Sequence, residues 1–351
     1  MVRLFRKPKI EVTVNGNGID NPNSGTIKKQ RDIWTASLSY PNQSGKMFEY
    51  FQPQDIVRIY LGLDVLPSVP TFTGVSTQDE GENLKSFSFL GRLYAMQKDE
   101  VIIDDLNFNL DGYEVSQAIR KLLEVKAFSL TRIFHGTNPA VHVPPTFRYE
   151  KGETVYTVIK ALRDMAVDTS DYSHLPRYYF LYEENDRLFF RKEPKLIDAN
   201  SWFTLTGGDN LLNGIPESKT YGIINKQTVI GKDGVRATYE SSHRMSVDGV
   251  FNGKTINDET LLSASECYYR ARLEVENNKV RTINTSITAL EMIEAIPNLS
   301  IVKILNAKNI VSGLHRVRDI DMVFGKGFNI STQIEKDVPV FGKEVSLLLP
   351  Q

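Results

Sequence analysis

The chain has 351 residues, of which 41% are hydrophobic and 24% charged, and its formal net charge is -1. That length suits two or three packed domains and the composition excludes a disordered chain, while the balanced charge gives no general call for nucleic acid or an anionic membrane. The one cysteine, Cys267, excludes an intrachain disulfide and a cysteine-based metal cluster within one chain.

The N-terminus, Met1 to Lys9, is basic, but no long apolar run follows it, so no secretory signal is expected. No stretch approaches the roughly 18 uninterrupted apolar residues of a membrane helix. Strand signals come first. Ile10, Val12 and Val14 alternate with polar residues up to the turn Asn15-Gly16-Asn17-Gly18. Further strands are expected at Ile33–Tyr40, Asp55–Leu61, Thr71–Ser76, around Phe87 and Phe89, and at Val101–Ile103. Short strands of this kind predict a small antiparallel barrel or sandwich over residues 1–111, read here as a barrel.

The pattern changes at Asp111. Val115, Ala118, Ile119, Leu122 and Leu123 follow helical spacing, with Asp111 and Glu114 as an expected capping box. A second helix carries Val155, Val158, Ile159, Leu162 and Met165 on one face, and a hairpin follows with its turn at Glu184-Asn185-Asp186. Residues 112–199 therefore read as a small α+β domain. Strands resume over 200–351, read as a second barrel with a helix inserted at about 258–278, where Leu261, Ala264, Cys267, Tyr268, Ala271 and Val275 share a stripe. The expected fold class is thus α+β, mainly β, with two antiparallel barrels flanking the α+β domain.

The two β regions echo each other. Ile56-Val57-Arg58-Ile59 returns as Ile301-Val302-Lys303-Ile304, and both follow a proline closely. Around them, Ile33-x-Thr35 matches Ile283-x-Thr285, Thr73-Gly74-Val75 matches Ser312-Gly313-Leu314, and Phe87-x-Phe89 matches Phe328-x-Ile330, all in one order. Strands draw on few residue types, so each match alone says little. The ordered set predicts a duplicated domain, with Arg58 and Lys303 at equivalent positions.

Catalytic signals are absent. Gly249-Val250-Phe251-Asn252-Gly253-Lys254-Thr255 resembles a phosphate loop but is one residue short, and no buried strand is expected to lead into it. His135 and His142 share a proline-containing loop without metal-ligand spacing. No Gly-x-Ser-x-Gly elbow occurs, and Cys267 reads as a buried structural thiol. No cofactor or metal is expected.

The order of elements resembles the hub proteins of phage tail baseplates and related contractile injection machines, including the late control protein D group. The resemblance rests on Asp55–Ile59 with Phe72-Thr73-Gly74, the helices Tyr113–Glu124 and Glu153–Ala166, the run Ile224–Gly231, the helix Ser263–Glu274, and Ser312–Arg318 up to Gly327-Phe328. Relatives commonly carry Pro-Gly where this chain has Pro297-Asn298; asparagine also tolerates the left-handed turn. No fused lysozyme or spike segment precedes the end at Gln351. The resemblance implies two tube-like barrels per chain and a homotrimeric virion protein without catalysis, which adapts a six-fold tail tube to a three-fold central spike. Its implied partners are the tube and spike proteins, tape measure and wedge proteins, and viral DNA in transit; assembly takes place in the host cytoplasm, without membrane insertion. Two alternatives stay open: a hub-like module of a tail-tip protein in a non-contractile phage, and a cell-wall hydrolase using a carboxylate pair within residues 112–195.

Overall fold

The computed structural model describes residues 8–30, 33–40, 51–52, 55–77, 86–95, 109–125, 134–136, 141–143, 147, 153–168, 177–184, 187–194, 203–211, 213–219, 223–259, 261–278, 281–308, 310, 312–325 and 327–338. The strand expected at Val101–Ile103 and the apolar tail Val345–Leu349 lie outside them. The fold is α+β and mainly β.

The first β region holds β1 (Pro8–Val14), β2 (Asn17–Ile19), β3 (Ser24–Gln30), β4 (Ile33–Ser39), β5 (Ile56–Leu63), β6 (Phe72–Ser76) and β7 (Ser86–Leu90), followed by the short helix α1 (Arg92–Ala95). Period-two alternation sets its buried face: Trp34, Ala36 and Leu38 on β4, and Val57, Ile59 and Leu61 on β5, point inward. Each fully buried Phe, Ile or Leu on such a face contributes roughly 1.5–3 kcal/mol.

The middle region follows with α2 (Val115–Val125), β8 (Phe134–Gly136), α3 (Val155–Met165), β9 (Val167–Asp168), β10 (Arg177–Glu184) and β11 (Arg187–Lys192). Its strands form their own sheet in the order β8-β11-β10-β9. The expected helical stripes are buried, with Val115, Ala118, Ile119 and Leu122 packed on Val158, Ile159 and Leu162. The cap of α2 differs from the expected box. Glu114 itself caps the helix, its Oε2 accepting from the backbone N–H of Ser116 at 3.0 Å and of Gln117 at 3.3 Å. Thr154 caps α3 by accepting from Thr157 N–H at 3.2 Å.

The last part begins with β12 (Phe203–Thr206) and β13 (Asn213–Lys219). An inserted unit follows: β14 (Lys226–Ile230), β15 (Arg236–Glu240), the helix α4 (Ser242–Asp248), β16 (Ile256–Asn257) and the helix α5 (Ala264–Asn278). It has its own sheet, β15-β14-β16, and its own small core of Val229, Cys267 and Ala271. The insertion is thus larger than the single helix read from the sequence, and that helix starts at Ala264 rather than near 258. The chain then rejoins the main sheet through β17 (Arg281–Thr288), β18 (Ile301–Leu305), β19 (Gly313–Phe324) and β20 (Phe328–Val338). Lys219 and Thr282 are paired, so the insertion leaves and re-enters at adjacent strands.

One 13-stranded sheet runs through both β regions, in the order β13-β17-β20-β19-β3-β4-β7-β6-β5-β1-β2, with β18 on β19 and β12 on β18. Its apolar side is one core, in which Ile27, Leu38, Val57 and Phe89 join Leu205, Val302, Met322 and Ile334. Among the described strands this ladder is open and no barrel closes. The two β regions pair in the same order: β3-β4-β7-β6-β5-β1 in the first, β13-β17-β20-β19-β18-β12 in the second. One difference is direction, because β1 is antiparallel to β5 whereas β12 is parallel to β18.

The rungs can be followed residue by residue. From Ile56 the ladder crosses Val75, Leu90, Thr35 and Lys28. From Ile301 it crosses Arg316, Glu335, Asn284 and Glu217. The strand-by-strand matches read from the sequence keep their order on these rungs, but their residues slip. Taking Ile56 as level with Ile301, Thr35 is level with Asn284 rather than Thr285, and Val75 with Arg316 rather than Leu314. Phe89 is level with Ile334 rather than Ile330. Short apolar patterns mark a strand well and its register poorly.

Candidate assembly surfaces

Ile56, Val57, Arg58 and Ile59 lie on β5, and Ile301, Val302, Lys303 and Ile304 on β18. In both strands the second and fourth residues are buried, while Arg58 is half-buried and Lys303 exposed. These strands are core walls, each bearing one cation away from the core.

The join between the two β regions is the antiparallel pairing of β19 with β3, from Asp319 opposite Gln30 to Phe324 opposite Gly25. Gly25 is required there: a Cβ would run into the Phe324 ring and lie 2.6 Å from the Ser37 carbonyl oxygen. Lys28 and Asp321 face each other across the join at 3.8 Å, and the Lys29 ammonium sits 4.6 Å from the centre of the Trp34 ring.

β19 serves two neighbours on one side. Gly313–Arg316 pairs with β18 and Asp319–Phe324 with β3, and the register shifts between Val317 and Asp319. The bulge releases Arg318 from the ladder and re-aims its side chain. The guanidinium meets Glu193, just after β11, with Nη1 to Oε1 at 2.5 Å, donates from Nη1 to Asn298 Oδ1 at 2.6 Å, and donates from Nε to Glu335. Burial opposes its charge, yet the two carboxylates outweigh that and hold its proton more firmly than usual. Asn298 takes the left-handed φ of 64° expected of its turn. Burial lifts the neighbouring Asp319 carboxyl above its ordinary range, against the opposing pull of Arg318. On the other flank Arg92 of α1 pairs with Glu183 of β10. Among the described residues, each β region thus reaches the middle region through a mostly buried Arg–Glu contact.

In the inserted unit the phosphate-loop look-alike is already occupied by the protein. Asn225 accepts from Phe251 N–H at 2.8 Å and donates to the Gly249 carbonyl at 2.6 Å. Gln227 donates to the Lys254 carbonyl at 2.7 Å, and Gly253 N–H bonds Lys226 O at 2.8 Å. Backbone groups spent on these bonds are not free to cradle a phosphate. The clamp instead holds Val250 and Phe251 outward, 58% and 36% exposed. On α5, Tyr268 and Tyr269 are also exposed, and Tyr268 meets Tyr239 edge-on at 5.5 Å. Burial and the hydrogen bond to Glu276 raise the Tyr239 phenol above its ordinary range.

His135 lies on β8 opposite Phe189, whereas His142 is opposite Glu114. Cys267 is buried, with its thiol 3.7 Å from the Val235 carbonyl. Among the described residues no group of three or more His, Cys, Asp or Glu could hold a metal, and no helix is long and apolar enough to cross a membrane. The sequence reading gave no role to Arg318 or Glu193 and missed the β3–β19 join.

No protein-family model matches the chain, and no curated protein does. Solved structures do. A tail protein from Neisseria meningitidis MC58 superposes with a TM-score of 0.60 at 13% identity, covering 94% of this chain and 96% of that one. The 43 kDa tail protein of prophage MuSo2 from Shewanella oneidensis gives 0.60 at 13% identity, covering 93% and 98%. A chain of the Francisella PdpA-VgrG complex gives 0.55 at 12% identity, covering 97% of this chain and 55% of that one. The fold of this chain is thus similar, over nearly its whole length, to that of phage tail proteins and of a VgrG-complex component.

Proposed function

We propose that the chain is a structural baseplate hub of a phage-type tail. In this reading the two β regions are copies of one tube-like barrel unit. Three chains form a ring of six such units, which meets a six-fold tail tube on one face and a three-fold spike on the other. The observation that carries the reading is the shared pairing order of the two β regions, set side by side in one sheet by β3 and β19. A fixed edge-to-edge relation between two like units is what neighbours in a ring need. The likeness of the fold to tail proteins supports a phage-type tail as the particle in which such a ring would serve.

The partners are then the tube and spike proteins, with tape measure and wedge proteins around them, and the chain resides in the virion. The lumen passes DNA during ejection, and the net charge of -1 suits a conduit that does not retain a polyanion. The role is non-catalytic. Native mass spectrometry of the purified chain, followed by cryo-microscopy of the particle, tests it. A trimer and a hub of pseudo-six-fold symmetry are expected; a chain that stays monomeric and never enters a tail overturns it.

A further inference from the structure

The rungs make β3 and β13 counterparts, since Lys28 and Glu217 end the two crossings. They differ in what lies beyond. β3 is covered by β19, whereas β13 has β17 as its one neighbour among the described strands.

Hydrogen-bond phase shows which backbone groups face outward. Gly91 N–H bonds Trp34 O at 2.7 Å, so in the alternation of an antiparallel ladder Trp34, Ala36 and Leu38 bond towards β7. Their partners on β3, namely Lys29, Ile27 and Gly25, therefore turn their backbone groups to β19. In the second region Ala289 N–H bonds Ile330 O at 3.2 Å, so Ile287, Thr285 and Ile283 bond towards β20. Gly214, Pro216 and Ser218 thus present their backbone groups to the outer edge. The two strands agree in phase, and they agree at a second point. Gly25, the position that admits the Phe324 ring, is level with Gly214, another residue without a side chain.

We infer that the outer edge of β13 is the seam between chains: it receives the first β region of a second copy, in the place that β19 takes on β3. This rests on the ring reading above. Pro216 shapes the seam. It has no N–H at the centre of the edge, level with Ile27, so the edge offers a carbonyl there and no donor. An edge blunted in this way resists indiscriminate strand addition and leaves partner choice to shape and charge. The seam between chains accordingly has fewer hydrogen bonds than the seam within a chain.

Ser218→Pro tests this on the full chain. It removes another outward N–H and spares the ladder to β17, whereas Glu217→Pro removes an inward N–H bonded to that ladder. Ser218→Pro is expected to melt like the parent at concentrations where both are monomeric, and to weaken association by about tenfold per seam, as the loss of one hydrogen bond implies. Glu217→Pro is expected to lower the melting temperature. Hydrogen exchange on the unmodified chain gives a second readout. The Gly214 and Ser218 amides slow as concentration rises, while those of Ile215 and Glu217 stay constant. If the parent assembles but these two amides exchange alike at every concentration, the seam lies elsewhere and the ring reading survives. A parent chain that is monomeric throughout overturns both.

Discussion

The two β regions share a strand order and differ in what fills it. Beyond the common isoleucine, the rung of the first region runs through Val75, Leu90 and Thr35. That of the second runs through Arg316, Glu335 and Asn284. Both regions share one apolar core. On this rung the first region places Val75 and Leu90 where the second places Arg316 and Glu335, and Arg318 beside that rung reaches the middle region. The comparison teaches that backbone pairing can be kept while the side-chain chemistry of a unit is exchanged, provided the buried charges stay paired.

Breaking the ion pairs that Arg318 makes beside this rung has the largest expected effect. Arg318→Ala leaves Glu193 and Glu335 sequestered without their cation and should destabilise the chain by about 3–5 kcal/mol in urea unfolding. Adding Glu193→Gln and Glu335→Gln should return part of that loss, because no unpaired buried charge remains. The apolar counterpart, Phe89→Ala, should also lose about 3–5 kcal/mol, with no such rescue by neutralising neighbours. Gly25→Val strikes the join between the regions. It drives a side chain against Phe324 and the Ser37 carbonyl, for a loss of about 1–3 kcal/mol.

Smaller effects sharpen the contrast. Lys28→Ala removes an exposed pair across the join and should change stability by less than about 1 kcal/mol, less still at high salt. Asp319→Asn tests the sign of a burial effect. The folded chain holds this carboxyl above its unfolded value, so its contribution to stability is full at low pH and is lost as pH rises through the folded value. The variant should therefore melt slightly higher than the parent at neutral pH, and the difference should vanish below about pH 4.

Much of the architecture was legible in the sequence. β4, β5 and β18 carry alternating or continuous apolar residues, and α2 and α3 carry apolar residues at helical spacing, so local pattern sufficed. β3 was missed because Ser-Gly-Thr-Ile-Lys-Lys-Gln has one large apolar residue; its place depends on pairing with β19, far along the chain. α4 was missed for a similar reason, its segment being mostly polar. Arg318 sits in a run of alternating basic residues that looks like an ordinary exposed edge. Nothing local announces the bulge that turns it towards Glu193. The echo between Ile56–Ile59 and Ile301–Ile304 pointed to strands with the same neighbours, but glycines and aromatics in the flanking strands suggested the wrong rungs.

The insertion over residues 223–278 has a practical consequence. Because Lys219 and Thr282 are opposite each other, its two ends sit one inter-strand spacing apart, and a short hairpin turn could close the gap. With its own sheet and core, the insertion behaves as a cassette plugged into the rim of the main sheet. A fluorescent protein or affinity tag whose termini lie close together could replace it without touching the strands of the main sheet.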